Sequence, residues 1–136
     1  MKPTVVDHIG VAVKDLQKAL AFWENSLGIP CVGVEEVAEQ KVRTAFLPVG
    51  DTEIELLEPT SDESPVAKFL EKKGEGIHHI ALRVENLEAA LEDLKAQGVQ
   101  LIDTTPRYGA GGARIAFVHP KATGGVLLEL SERSGH

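Results

Sequence analysis

One cysteine, Cys31, stands in 136 residues, so no disulfide can form within the chain. Set among apolar neighbours, that thiol reads as a core residue. No apolar run approaches the ~20 residues a membrane-spanning helix needs, and no membrane contact is expected. Met1-Lys2-Pro3-Thr4 leads straight into a strand pattern without a signal-peptide core. Together these absences point to the cytoplasm. Positive charge is also short: 14 Lys and Arg face 21 Asp and Glu, a net charge of −7. Phosphate neutralisation supplies most nucleic-acid affinity, which argues against nucleic acid as the main partner. A small anionic ligand at a local basic spot remains allowed. What is present is ordinary for a globular chain, with 43% hydrophobic and 26% charged residues and a length that suits one domain with a real core.

The chain is written twice. Val6-Asp7-His8-Ile9-Gly10-Val11-Ala12-Val13 returns as Ile77-His78-His79-Ile80-Ala81-Leu82-Arg83-Val84, with His79 standing 71 positions after His8. Arg43-Thr44-Ala45-Phe46 returns at the same offset as Arg114-Ile115-Ala116-Phe117. Ile54-Glu55-Leu56 returns at an offset of 74 as Leu128-Glu129-Leu130. In the first copy Ile9, Val11 and Val13 should face a covering helix, and His8, Gly10 and Ala12 a cavity. Asp15 is placed to cap a helix carrying Leu16, Ala19, Leu20, Trp23 and Leu27, ended by Gly28. Strands are expected over residues 31–37, 42–49 and 53–57, the last two a hairpin. Ser64-Pro65 opens a short linking helix, about residues 64–73. The second copy has a strand over 77–84, a helix from an Asn86 cap to Gly98, and strands near 99–102, 113–119 and 126–130. The expectation is one α+β domain over residues 1–136. Two tandem βαβββ modules, about 4–60 and 75–132, would pair into a curved, partly open mixed β-barrel around a metal site.

Each unit opens on a strand with a His and closes on a strand with a carboxylate among apolar residues, Glu55 or Glu129. A buried, unpaired carboxylate costs several kcal/mol, and two of them repel. A divalent cation cancels both charges and accepts both imidazoles, so His8, Glu55, His79 and Glu129 are the metal-ligand set. Nitrogen and oxygen donors without thiolate suit cobalt, nickel, zinc, iron, manganese or magnesium. Four protein ligands on an octahedral ion leave two positions for water or substrate. A strand His by itself is ordinarily a satisfied core or surface residue, and Glu53 with Glu55 would read as a solvated edge. Those bland explanations must hold twice at matched positions. His78 has the opposite parity to His79, and His119 and His136 have no counterpart in the first copy. Trp23 and Phe69 sit at helical core spacing. Gly109-Ala110-Gly111-Gly112 lacks the Lys-Ser/Thr of a phosphate loop. It reads as a flexible turn or as a loop that a long ligand approaches, with Arg107, Arg114 or Lys121 near for its negative groups.

These motifs resemble the vicinal oxygen chelate superfamily and, within it, the methylmalonyl-CoA epimerases. The likeness runs from Val6 to Glu132. Its more specific parts are Glu55-Leu56-Leu57-Glu58-Pro59, Asp62 to Leu70, Gly74 to Ala81, Gly109 to Lys121 and Gly125 to Leu130. The resemblance implies an isomerase with metal ligands at His8, Glu55, His79 and Glu129, and a homodimer. It also implies a divalent ion of the cobalt type, with nickel, manganese, zinc or magnesium as substitutes. The implied substrate is a small acyl-CoA thioester, methylmalonyl-CoA, interconverted between its R and S forms through a metal-stabilised enolate. Some epimerases carry a glutamate where this chain has Thr44, which cannot act as a base near neutral pH; Glu129 is then the carboxylate to which the resemblance gives a catalytic role. Two other readings share the fold: glyoxalase I (lactoylglutathione lyase), which uses the same four ligand types, and a metal-free ligand-binding or resistance protein.

Overall fold

The computed structural model describes residues 1–133. They divide into two compact units, one running from His8 to His78 and the other joining Met1–Asp7 to the chain from His79 onward. His136 lies outside the described residues. Among the described residues no helix is long and apolar enough to cross a membrane.

The first unit takes its leading strand from β1 (Val5–Ala12) and continues through α1 (Leu16–Leu20), β2 (Gly33–Val37), β3 (Val42–Val49), β4 (Thr52–Pro59) and α2 (Pro65–Lys73). Its strands lie in the order β2-β3-β4-β1. The β2–β3–β4 run is antiparallel and β1 joins β4 in parallel. The small Gly50 turn, at φ 62°, closes the expected β3–β4 hairpin. Asp15 caps α1 by accepting from the Lys18 amide at 3.2 Å. The helix lays Leu16 on Val13, Ala45, Leu47 and Leu56, with Trp23 and Cys31, both expected in the core, only half-buried at its margin. Leu27 departs from expectation and is 52% exposed. After Leu20 the helix widens to a π turn over Ala21–Ser26, and the Leu27 amide reaches back five residues to the Phe22 carbonyl at 2.9 Å. The wider turn rotates Leu27 off the core stripe. Ser64 caps α2, which places Val66 and Phe69 against Ala12, Val42 and Leu57.

The second unit repeats this plan with β5 (Gly76–Arg83, from His79), α3 (Leu87–Ala96), β6 (Arg107–Tyr108), β7 (Arg114–Val118), α4 (Pro120–Thr123) and β8 (Leu128–Glu132). The order β5-β8-β7-β6 reproduces that of the first unit. Asn86 caps α3, accepting from the Ala89 amide at 3.0 Å. Leu87, Ala90 and Leu91 bury against Val84, Ala116, Val118 and Leu130. The strand expected near 99–102 is reduced to one bridge, Leu101 with Val118. There the Asp103 carboxylate takes the Phe117 amide at 2.8 Å, which removes a donor from the ladder. On the side away from β8, β7 pairs with the two-residue β6, an element the sequence pattern does not announce.

One clamp appears in both units. Glu58 accepts the Leu16 amide at 2.9 Å and pairs with Arg43 at 2.6 Å. Glu132 accepts the Leu87 amide at 2.8 Å and pairs with Arg114 at 3.1 Å. A carboxylate at the start of each helix satisfies an orphan N–H and complements the positive end of the helix dipole. The repeated arginines are therefore explained by architecture.

Candidate active site

In each unit the histidine and the glutamate meet by the same register. Gly10, two residues after His8, lies directly across from Glu55 on β4. Ala81, two residues after His79, lies directly across from Glu129 on β8. The small residue opposite each carboxylate leaves room for the imidazole to lean over it. His8 Nδ1 comes to 3.3 Å from Glu55 Oε2, and His79 Nε2 to 3.3 Å from Glu129 Oε1. All four side chains are buried, with Glu55 only 2% exposed and Glu129 4%. On the other side of each glutamate stands a phenylalanine, Phe46 across from Glu55 and Phe117 across from Glu129. Phe117 also meets His79 edge-on, with ring centroids 5.7 Å apart. Each pair thus sits in an apolar setting where a charge interacts strongly and water is scarce.

A divalent ion is the natural companion of such donors. Each pair offers an imidazole and a carboxylate, with no thiolate, which are donors preferred by ions of the cobalt, nickel, zinc and manganese type. A second observation points to a ligand. Thr44 and Ser131 are 1% and 0% exposed, and the hydroxyl of each has no hydrogen-bond partner among the described residues. Thr44 shares the face of Glu55, and Ser131 that of Glu129. Buried hydroxyls are ordinarily satisfied. Two without a protein partner, each on the face of a buried carboxylate, are exceptions to that rule. The resemblance marks Thr44 only as a position where some epimerases carry a glutamate, and nothing marks Ser131, because a Ser inside a strand carries no spacing signal.

The remaining histidines have structural work. His78 turns to the other face of β5 from His79, as its parity indicates, and packs edge-on to Phe69 at 5.1 Å between centroids. Burial pushes its pKa down to about 4, so it is neutral at physiological pH. His119 caps α4, its Nδ1 accepting the Lys121 amide at 3.0 Å. A cluster that the sequence reading missed joins Asp7 to two arginines. Arg83 donates to Asp7 at 2.8 Å, and Arg133 through two nitrogens at 2.7 and 2.8 Å. The three residues lie far apart in the chain, and no local pattern links them.

Fold and site together define a class of duplicated βαβββ proteins with a buried His–Glu pair in each unit. The family model of the glyoxalase/bleomycin resistance protein/dioxygenase superfamily matches residues 7–117. The mitochondrial methylmalonyl-CoA epimerase of Homo sapiens is 41% identical over 93% of this chain and 73% of its own length. A solved methylmalonyl-CoA epimerase in complex with methylmalonyl-CoA and NH4+ superposes with a TM-score of 0.93, at 38% identity, covering 98% of this chain and 97% of that one. The lactoylglutathione lyase of Salmonella typhimurium is 31% identical over 92% of this chain and 90% of its own. The chain belongs to this superfamily and, within it, to the methylmalonyl-CoA epimerase family.

Proposed function

We propose that this protein epimerises methylmalonyl-CoA, interconverting the R and S forms by removing and returning the α-proton. The observation that carries the reading is the His–Glu pair built at one register in both units. The likeness to epimerases, stronger than that to the lyase, supports the substrate class. In this reading His8, Glu55, His79 and Glu129 together hold one divalent ion, cobalt before nickel, manganese, zinc or magnesium. When bound, that ion supplies fixed positive charge near the oxygens on which negative charge grows as the α-carbon loses its proton.

The chain's own groups do the rest. Phe46 and Phe117 exclude water beside the carboxylates. The open hydroxyls of Thr44 and Ser131 donate to the bound thioester. Glu129 is the proton-transfer carboxylate on one face of the α-carbon. Thr44 cannot play that role on the other, since an aliphatic hydroxyl does not ionise near neutral pH. The proposed working form is a cytoplasmic homodimer acting on acyl-CoA.

The test is exchange of the α-proton of methylmalonyl-CoA with deuterium from solvent, followed by mass spectrometry. Exchange should vanish after chelation and return with cobalt. Turnover of the glutathione–methylglyoxal hemithioacetal in its place would move the assignment to glyoxalase I. No stoichiometric metal and neither reaction would indicate a metal-free binding protein.

A further inference from the structure

The sequence offered three cations near the glycine-rich loop: Arg107, Arg114 and Lys121. The structure separates them. Arg114 is spent on architecture, its Nη1 on Glu132 at 3.1 Å and its Nη2 on Glu88 at 2.5 Å. Lys121 stands in the first turn of α4, where its amide is tied to His119. Arg107 differs from both. Its guanidinium carbon lies 5.4 Å from the centroid of Phe117, the ring that meets His79 edge-on and lies across from Glu129. One aromatic ring therefore separates this cation from the His79–Glu129 pair.

The guanidinium also pairs with one carboxylate. Its Nε is 3.4 Å from Asp103 Oδ2, and that oxygen is itself fixed by the Phe117 amide at 2.8 Å. Among the described residues no other ion pair engages Arg107, which leaves its two Nη groups for a ligand. The side chain is 42% exposed, so a soluble molecule can reach it. The loop after it lies tight against β7: a Cβ on Gly109 would meet Ile115 Cδ1 at 2.8 Å. A glycine there keeps the backbone low beside the arginine. The duplication supplies a control. Arg107 lies across from Ile115, and at the matching register of the other unit Glu35 lies across from Thr44. The cation is therefore not a requirement of the βαβββ unit.

We infer that Arg107 is an anion-binding residue that grips a carboxylate or phosphate of the acyl-CoA through Nη1 and Nη2. The inference rests on the epimerase reading above. A planar fork held by a ring and one carboxylate is suited to bidentate recognition of such a group, which Lys cannot reproduce.

The test uses the metal-loaded protein and the variants Arg107→Met and Arg107→Lys. Each is assayed by racemisation of methylmalonyl-CoA and of the methylmalonyl thioester of N-acetylcysteamine, which keeps the carboxylate but lacks phosphates. Met keeps the apolar stem over Phe117, and loss of a half-exposed ion pair should leave the melting temperature near wild type. The expected result with methylmalonyl-CoA is a KM raised about ten- to hundredfold in Arg107→Met, with kcat within about threefold, and partial recovery in Arg107→Lys. Persistence of the penalty on the truncated thioester would identify the carboxylate as the gripped group. Its disappearance there would identify the nucleotide phosphates. An unchanged KM in Arg107→Met, beside an active wild type, overturns the inference and leaves the epimerase reading intact. A wild type inactive on both thioesters overturns that reading and the inference with it.

Discussion

Two hydroxyls test the site at the scale of single residues. Thr44 and Ser131 are buried with no protein partner among the described residues, so the protein gains nothing in stability from their oxygens. Ser131→Ala and Thr44→Val should therefore unfold in urea with a free energy equal to wild type or up to about 1 kcal/mol above it. Their kcat/KM on methylmalonyl-CoA should fall. Stability lost together with activity would return these residues to the ordinary core. Glu129 makes a sharper case. In its proposed role as a proton-transfer carboxylate that also holds the ion, its Gln variant, assayed with metal added until its content matches wild type, should lose α-proton exchange by about a hundredfold or more, as general-base removal does. Full exchange at normal metal content would remove Glu129 from the chemistry. At this scale the sequence was informative where the chain repeats itself: His8 with His79 and Glu55 with Glu129 could be named because each had a twin. It was silent on Asp7, Arg83 and Arg133, and on Arg107 over Phe117, because those contacts join residues with neither twin nor local spacing.

At the scale of elements, caps and periodic faces account for most of what could be foreseen. Asp15, Ser64 and Asn86 each cap the helix that follows them. Asn86→Ala should cost about 1 kcal/mol in equilibrium unfolding. Leu91, 1% exposed at the centre of the α3 face, should cost about 2–5 kcal/mol when cut to Ala. The failures have physical causes. A π turn cannot be read from a helical stripe, so the stripe places Leu27 inward whereas it lies outward. Asp103 interrupts a ladder that the apolar run Val99 to Ile102 suggests, because its carboxylate takes the Phe117 amide. The two-residue β6 is too short to carry any alternation. Asp7 ties β1 to Arg133 near the other end of the chain, and its two arginines are only partly exposed. Asp7→Asn should lower unfolding free energy by on the order of 3 kcal/mol, the scale of losing charge-assisted hydrogen bonds to a buried carboxylate.

For the whole molecule, duplication is the organising fact. Both units use a small residue across from the glutamate, a phenylalanine on its other side, and a Glu–Arg clamp at the helix start. A plan kept twice in this detail, with a buried acid and imidazole each time, is the feature on which the proposed metal binding rests. On the proposed reading the ion binds only the folded chain. At a free concentration of a hundred times its Kd it should add about 2.7 kcal/mol to unfolding, a gain that chelation reverses. The measurement that bears most directly on the central claim is the metal content of the purified protein, by elemental mass spectrometry, beside that of His8→Ala and His79→Ala. The account predicts about one divalent ion per chain in the wild type and little in either variant, since each half supplies part of the ligand set. A wild type without stoichiometric metal, or full occupancy surviving loss of either histidine, would contradict it.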